Sequence, residues 1–172
     1  METFECIKTR RSRRKFLEKE VSQEIIEKII EAGKCAPSGD NKQPWKFYII
    51  RDKNIKKAIA DLDDVYNKQI IPGCDFILIV GVDTNLSPIS YIEDGVLAAQ
   101  NILLACHDLG LGAVYLSGFN LKDPQDAKGI QRVVNIPESI IPISMLLIGY
   151  PDPKEQIGNK SLKNNKDLIE YR

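Results

Sequence analysis

Apolar residues recur along the chain at two spacings. Phe4 and Ile7 stand one helical turn apart and predict a short helix over residues 3–8. Ser22 is placed as an N-cap, and Ile25, Ile26, Ile29 and Ile30 form a helical stripe that Gly33 would end. A loop of turn formers runs from Ala36 to Pro44 and reaches the only tryptophan, Trp45. Residues 46–51 supply strand formers. Residues 55–62 read as a helix capped by Asn54, and 65–70 as a second helical piece. The run 76–82 is almost unbroken in its apolarity, which predicts a central strand covered on both faces.

Ser87-Pro88 opens the longest predicted helix, and Gly110 closes it. Ile92, Val96, Ala99, Ile102, Leu103, Leu104, Cys106 and Leu109 leave this helix little polar face. It therefore belongs in a core or at a subunit interface. Residues 112–116 predict a strand leading into Ser117-Gly118-Phe119. Residues 124–134 predict a helix and 143–148 a last strand. The stretch 151–172 is polar and Lys-rich and needs a partner to hold it. Strands and helices in no strict βαβ order indicate an α+β fold or an irregular α/β sandwich.

The length, 172 residues, suits one domain over 1–172. Lys plus Arg and Asp plus Glu both number 24, and this balance argues against a nucleic-acid binder. Cys6, Cys35, Cys74 and Cys106 are scattered, with no C-x-x-C and only His107 as an imidazole. That pattern excludes a local zinc motif and fits reduced thiols in a cytoplasmic protein. Nothing in the first fifteen residues reads as a signal peptide, and no apolar run is long enough to cross a membrane. Dinucleotide-binding, phosphate-loop, zinc-protease and nucleophile-elbow motifs are all missing. Glu93-Asp94 reads as a helix feature, because adjacent helical residues do not face each other.

Against this even charge, six of the nine residues 8–16 are cationic, with Ser12 among them. A terminal phosphate calls for such donors: arginine forks beside a hydroxyl. A solvated helix end accounts for the cluster equally well. The loop Pro37-Ser38-Gly39-x-Asn41-x-Gln43-Pro44-Trp45 offers short side chains, amides and backbone N–H groups to a polar chain or a ring edge.

Taken together, R-R-S-x-R-x-F, an apolar helix and A-P-S-x-x-N-x-Q-P-W-x-F resemble the nitroreductase family of FMN-dependent oxidoreductases. Glu93-Asp94-Gly95, Ala98-Ala99-Gln100-Asn101, Leu109-Gly110-Leu111-Gly112 and Ile148-Gly149-Tyr150-Pro151 extend the resemblance over the whole chain. It implies a three-layer α/β/α sandwich around a mostly antiparallel sheet and an intertwined homodimer. Residues 151–172 would extend to the partner subunit. It also implies bound FMN, NADH or NADPH as electron donor, and a nitroaromatic, quinone or related small acceptor reduced by ping-pong hydride transfer through flavin N5. No metal and no protein acid or base is needed. Arg10, Ser12 and the adjacent Arg11 match the phosphate and ribityl contacts, and Arg14 matches the cation beside the flavin ring. Pro37, Ser38, Gly39 and Asn41 match a loop covering the flavin from the second subunit. Asn67 matches a ring-edge amide, Ser117 and Gly118 match the strand end at N5, and Lys160 or, preferably, Lys163 would close the phosphate site. Arg13 and Lys15 match no role and read as a solvated face. Only roughly thirty residues separate Trp45 from Phe76, which implies an open flavin face. A flavin-binding carrier or sensor without turnover is the alternative reading.

Overall fold

The apolar run beginning at Phe76 becomes the centre of a four-stranded sheet. The computed structural model describes residues 1–62, 65–116, 124–158, 160–163 and 168–170, with the backbone alone at 65–67 and 124–126. Its elements follow the order α1 (Thr3–Thr9), α2 (Gln23–Lys34), β1 (Trp45–Ile50), α3 (Lys53–Ala60), α4 (Val65–Ile70), β2 (Phe76–Asp83), α5 (Tyr91–Asp108), β3 (Gly112–Leu116), α6 (Pro124–Val134) and β4 (Ile140–Gly149). The strands lie in the order β1-β2-β4-β3, and every neighbouring pair is antiparallel.

Alternate residues of a strand face opposite sides, and β2 is apolar on both. Phe76, Leu78, Val80 and Val82 join one core with α2 and α5. Ile77 and Ile79 join a second core with Ile59 and Ala60 of α3 and Ile130 of α6. The result is the expected α/β/α sandwich. Among the described residues no helix is long and apolar enough to cross a membrane.

Several predicted boundaries shift for local reasons. Ser22 caps α2 as expected, its Oγ accepting from the Ile25 N–H at 3.4 Å. Gly33, however, lies inside α2: a Cβ there would meet Ile102 Cδ1 at 2.9 Å, so close helix packing requires the glycine. Asp52, not Asn54, caps α3, accepting from the N–H groups of Asn54 and Ile55. Helix α5 starts at Tyr91, and Ser87 is drawn into a turn by its bond to Asp94. Gly110 ends α5 as predicted, with φ +76°.

Strand β4 begins at Ile140, earlier than its apolar core suggests, because Pro142 sits at a bulge where its missing N–H is tolerated. Val80 pairs with Ser144 and Gly81 with Pro142, so Ile143 is the extra residue. It packs on α5, where a Cβ added to Gly95 would lie 2.6 Å from the Ile143 Cβ. Gly95→Ala should therefore destabilise the protein by about 1–3 kcal/mol. Gly158→Ala, where a Cβ meets nothing within 4 Å, should be near neutral in the same urea unfolding experiment.

Candidate functional site

Helix α1 ends at Thr9, and the cationic stretch leaves it in extended form along the edge of the sheet. Ser12 forms a parallel bridge with Ala113 of β3, and the Arg13 N–H donates to the Ala113 carbonyl at 3.0 Å. Thr9 fastens the other side of this stretch to α5. Its hydroxyl donates to the Glu5 carbonyl at 2.7 Å, which leaves its oxygen to accept from His107 Nε2 at 2.9 Å. Burial, and then the nearby Arg10 and Arg11, hold the His107 pKa below its ordinary value.

The cations of this stretch divide by partner. Arg11 turns back onto its own backbone, donating to the Lys8 and Arg10 carbonyls at 2.9 Å. Arg13 pairs with Glu155 at 2.8 Å and is only 19% exposed, which corrects the solvated-face expectation for it. Arg10 and Arg14 have no carboxylate partner among the described residues. Lys160 returns to the same end of α1, its Nζ 3.4 Å from the Ile7 carbonyl. Lys163 is exposed, as is Lys15. Two free guanidiniums, a serine and a lysine make a chemically suitable seat for a phosphate group.

The loop after Ala36 is held under strain. Asp40, Asn41 and Gln43 all have positive φ, at 51°, 53° and 49°, a conformation costly for residues with side chains. The Gln43 N–H donates to Ser38 Oγ, Gln43 Nε2 donates to Asn41 Oδ1, and the Gly39 N–H donates to Asp94 Oδ1 at 3.1 Å. Ser38 keeps its hydroxyl proton, and Asn41 keeps its Nδ2 donors, facing no partner among the described residues. The loop is therefore donor-rich and suits carbonyl or phosphate oxygens. Pro37 lies at its start and is exposed.

Sequence reasoning read Asp94 as a helix feature and gave it no role in the site; the structure gives it one as an anchor. It is 2% exposed, and its second oxygen accepts from Ser87 Oγ at 2.7 Å. Its carbonyl accepts from Trp45 Nε1 at 2.8 Å. The signal available was a carboxylate just before Gly95, four residues before the small Ala98, on the helix face that carries both small residues.

The two halves stand apart in one chain. The loop is tied to Asp94 and the cationic stretch to His107, thirteen positions along α5. At 1.5 Å per residue this is about 20 Å. Asn67 lies on α4, and its side chain is outside the described residues, as are Ser117 and Gly118 entirely. A cleft of about 310 Å³ between α1, α2 and α5 contains none of the predicted site residues. Of the cysteines, Cys6, Cys74 and Cys106 are buried. Burial raises all three thiols, Cys74 to about 11, so they remain protonated. Among the described residues no cluster of His, Cys, Asp or Glu stands ready to hold a metal.

The nitroreductase family model matches residues 7–69 and 64–150. The chain belongs to the nitroreductase family. It is 39% identical over 153 residues to a proposed NADH dehydrogenase/NAD(P)H nitroreductase of Methanothermobacter thermautotrophicus, covering 88% of this chain and 78% of that one. Its fold matches a proposed NADH dehydrogenase/NAD(P)H nitroreductase from Parabacteroides distasonis with a TM-score of 0.89 and 30% identity, over 99% of this chain and 98% of that one. A proposed nitroreductase from Desulfovibrio desulfuricans, solved in complex with FMN, matches at 0.82 and 27% identity, over 100% and 97%. Within the nitroreductase fold, the cationic stretch and the strained loop are thus both anchored to the long helix, at opposite ends.

Two measurements check these anchors. Asp94→Ala leaves two donors without an acceptor and should cost about 2–4 kcal/mol, read by urea unfolding, with Asp94→Asn restoring roughly half. The unfolded His107 imidazole takes up a proton near its ordinary pKa of about 6.5, whereas the folded one resists it. Stability should therefore fall as pH drops from about 7 through 6.5, and level off for this group below the folded pKa. His107→Gln, which retains a donor for Thr9, should flatten that dependence between pH 7 and pH 5.

Proposed function

We propose that the protein is an FMN-dependent oxidoreductase that uses NADH or NADPH to reduce small electron acceptors, nitroaromatics and quinones among them. The observation that carries the reading is the pair of guanidiniums, Arg10 and Arg14, with no carboxylate partner among the described residues, beside Ser12 at the sheet edge of a nitroreductase fold. Arg10 and Ser12 would hold the FMN phosphate and ribityl chain, with Arg11 shaping the turn that presents them. Of the two lysines we favour Lys160 over Lys163 to close that site, since its Nζ lies 3.4 Å from the Ile7 carbonyl near the end of α1. Bound FMN would supply reversible hydride chemistry between nicotinamide and acceptor.

The chain's own residues do the rest by position and charge. Arg14 sets a fixed cation where a reduced ring gathers negative charge, a form of electrostatic stabilisation that needs no proton transfer. Ser38 and Asn41 would offer hydrogen-bond donors to the flavin, and Pro37 and Gly39 would shape the loop that covers it. By the family resemblance, Asn67, Ser117 and Gly118 would complete its edge.

The separation of about 20 Å between the two anchors on α5 supports a homodimer, in which the loop of one subunit covers the cationic stretch of the other. Exposed apolar residues supply a surface for it. Ile89 is 89% and Phe4 77% exposed, with Leu86, Val96 and Leu97 also open. In this reading the single domain spans 1–172, and the segment from 151 onward continues to the partner.

Purified protein mixed with FMN should show bound-flavin absorbance that NADH or NADPH bleaches in the absence of air. A flavin that neither nucleotide bleaches rules out the enzyme. Arg10→Ala should weaken FMN binding at least about tenfold while leaving the circular dichroism unchanged.

A further inference from the structure

Glu155 makes two different bonds to the cationic stretch. Its Oε2 accepts from Arg13 Nε at 2.8 Å, and its Oε1 accepts from the backbone N–H of Arg14 at 2.9 Å. Arg13 also donates through Nη2 to the Asp152 carbonyl at 2.7 Å. The Glu155 side chain is only 11% exposed. An anion largely removed from water beside a site for a phosphate is unfavourable for binding unless it serves a purpose.

The backbone around it is pinned at both ends. Upstream, Ser12 and Arg13 pair with Ala113. Downstream, Phe16 bridges Pro151, Leu17 N–H donates to the Tyr150 carbonyl at 2.8 Å, and Asp152 N–H donates to the Lys15 carbonyl at 3.0 Å. Between these pins, Arg14 has no other bond from its N–H, and a slip would exchange which cations face the site. On an extended backbone alternate side chains face opposite ways, so Ser12 and Arg14 share a side and Arg13 takes the other. Glu155 neutralises the cation on the far side and fixes the peptide of the cation on the near side. Glu155 is itself set by a turn in which its N–H donates to the Asp152 carbonyl at 3.1 Å.

We infer that Glu155 and Arg13 form a clasp between the segment after β4 and the cationic stretch, and that Glu155 is a positioning residue for cofactor binding. By holding Arg13 it leaves Arg14 without a carboxylate partner among the described residues, and by holding the Arg14 peptide it orients that cation. The inference rests on the reading of that stretch as the FMN site.

Charge and position make opposite forecasts here, and this provides the test. Removing an anion from the neighbourhood of the FMN phosphate would, by Coulomb attraction alone, tighten binding. Loss of the clasp weakens it. FMN dissociation constants are measured by flavin fluorescence quenching on the full chain, with circular dichroism recorded for each variant. Glu155→Ala should weaken FMN binding about tenfold, and Glu155→Gln, which keeps one acceptor, about threefold. Glu155→Asp keeps the charge but shortens the reach, and should weaken binding about fivefold. Arg10→Ala is measured alongside. If wild type binds no FMN, or Arg10→Ala binds as wild type does, the FMN-site reading itself fails. If Arg10→Ala weakens binding while Glu155→Ala and Glu155→Gln bind as tightly as wild type or tighter, the clasp alone is refuted. Should those two variants not fold, Glu155→Asp decides, and an affinity within twofold of wild type overturns the inference.

Discussion

Phe76, Ile77, Leu78, Ile79 and Val80 lose all solvent contact on both sides of β2, and much of the remaining architecture answers that requirement. A strand apolar on both faces must be covered twice, so α2 and α5 close one side and α3 and α6 the other. With both faces of the sheet occupied, polar chemistry is left to edges and ends. The cationic stretch lies along the β3 edge, and the strained loop lies where β1 begins. The bulge at Ile143 and the glycine opposite it are part of the same constraint, since they set how closely α5 approaches β4.

Helix α5 is the ruler on which the polar parts are mounted. Asp94 near its start holds a loop that carries three residues at positive φ, and His107 near its end holds Thr9. Local strain of this kind persists only where surrounding bonds over-determine it. Here a buried carboxylate and the Ser38 hydroxyl do so. The electrostatic logic at the other end is separation by pairing. Of the four arginines, Arg11 is satisfied by backbone carbonyls and Arg13 by Glu155, while Arg10 and Arg14 have no carboxylate partner among the described residues and are available to a ligand.

The parts of the fold legible in sequence were those carried by local pattern. The isoleucine stripe of α2, the two-faced run of β2 and the Gly110 stop each depend on a periodicity or a φ angle within a few residues. Gly33 misled because a glycine that ends a helix and one that lets two helices touch look the same in sequence. Asp52 and Asn54 are both good N-cap residue types two positions apart, and the folded backbone sets which side chain accepts from the first turn. The start of β4 was hidden by Pro142, which marks a strand boundary except where a bulge excuses its missing N–H.

The sequence by itself determined the family, because its short motifs carry that resemblance, and through the resemblance it implied the layered fold; hydrophobic period located most of the elements. Only the tertiary structure decided how the cations divide. Arg10, Arg11, Arg13 and Arg14 are alike as residues, and nothing local separates them. Glu155, 142 residues beyond Arg13 in the chain, takes one of them, and the backbone takes another. The same holds for Asp94, whose role exists only because folding brings Gly39, Ser87 and Trp45 around one buried residue. Pairing of charges and satisfaction of buried polar atoms are long-range in sequence, and no local pattern records them.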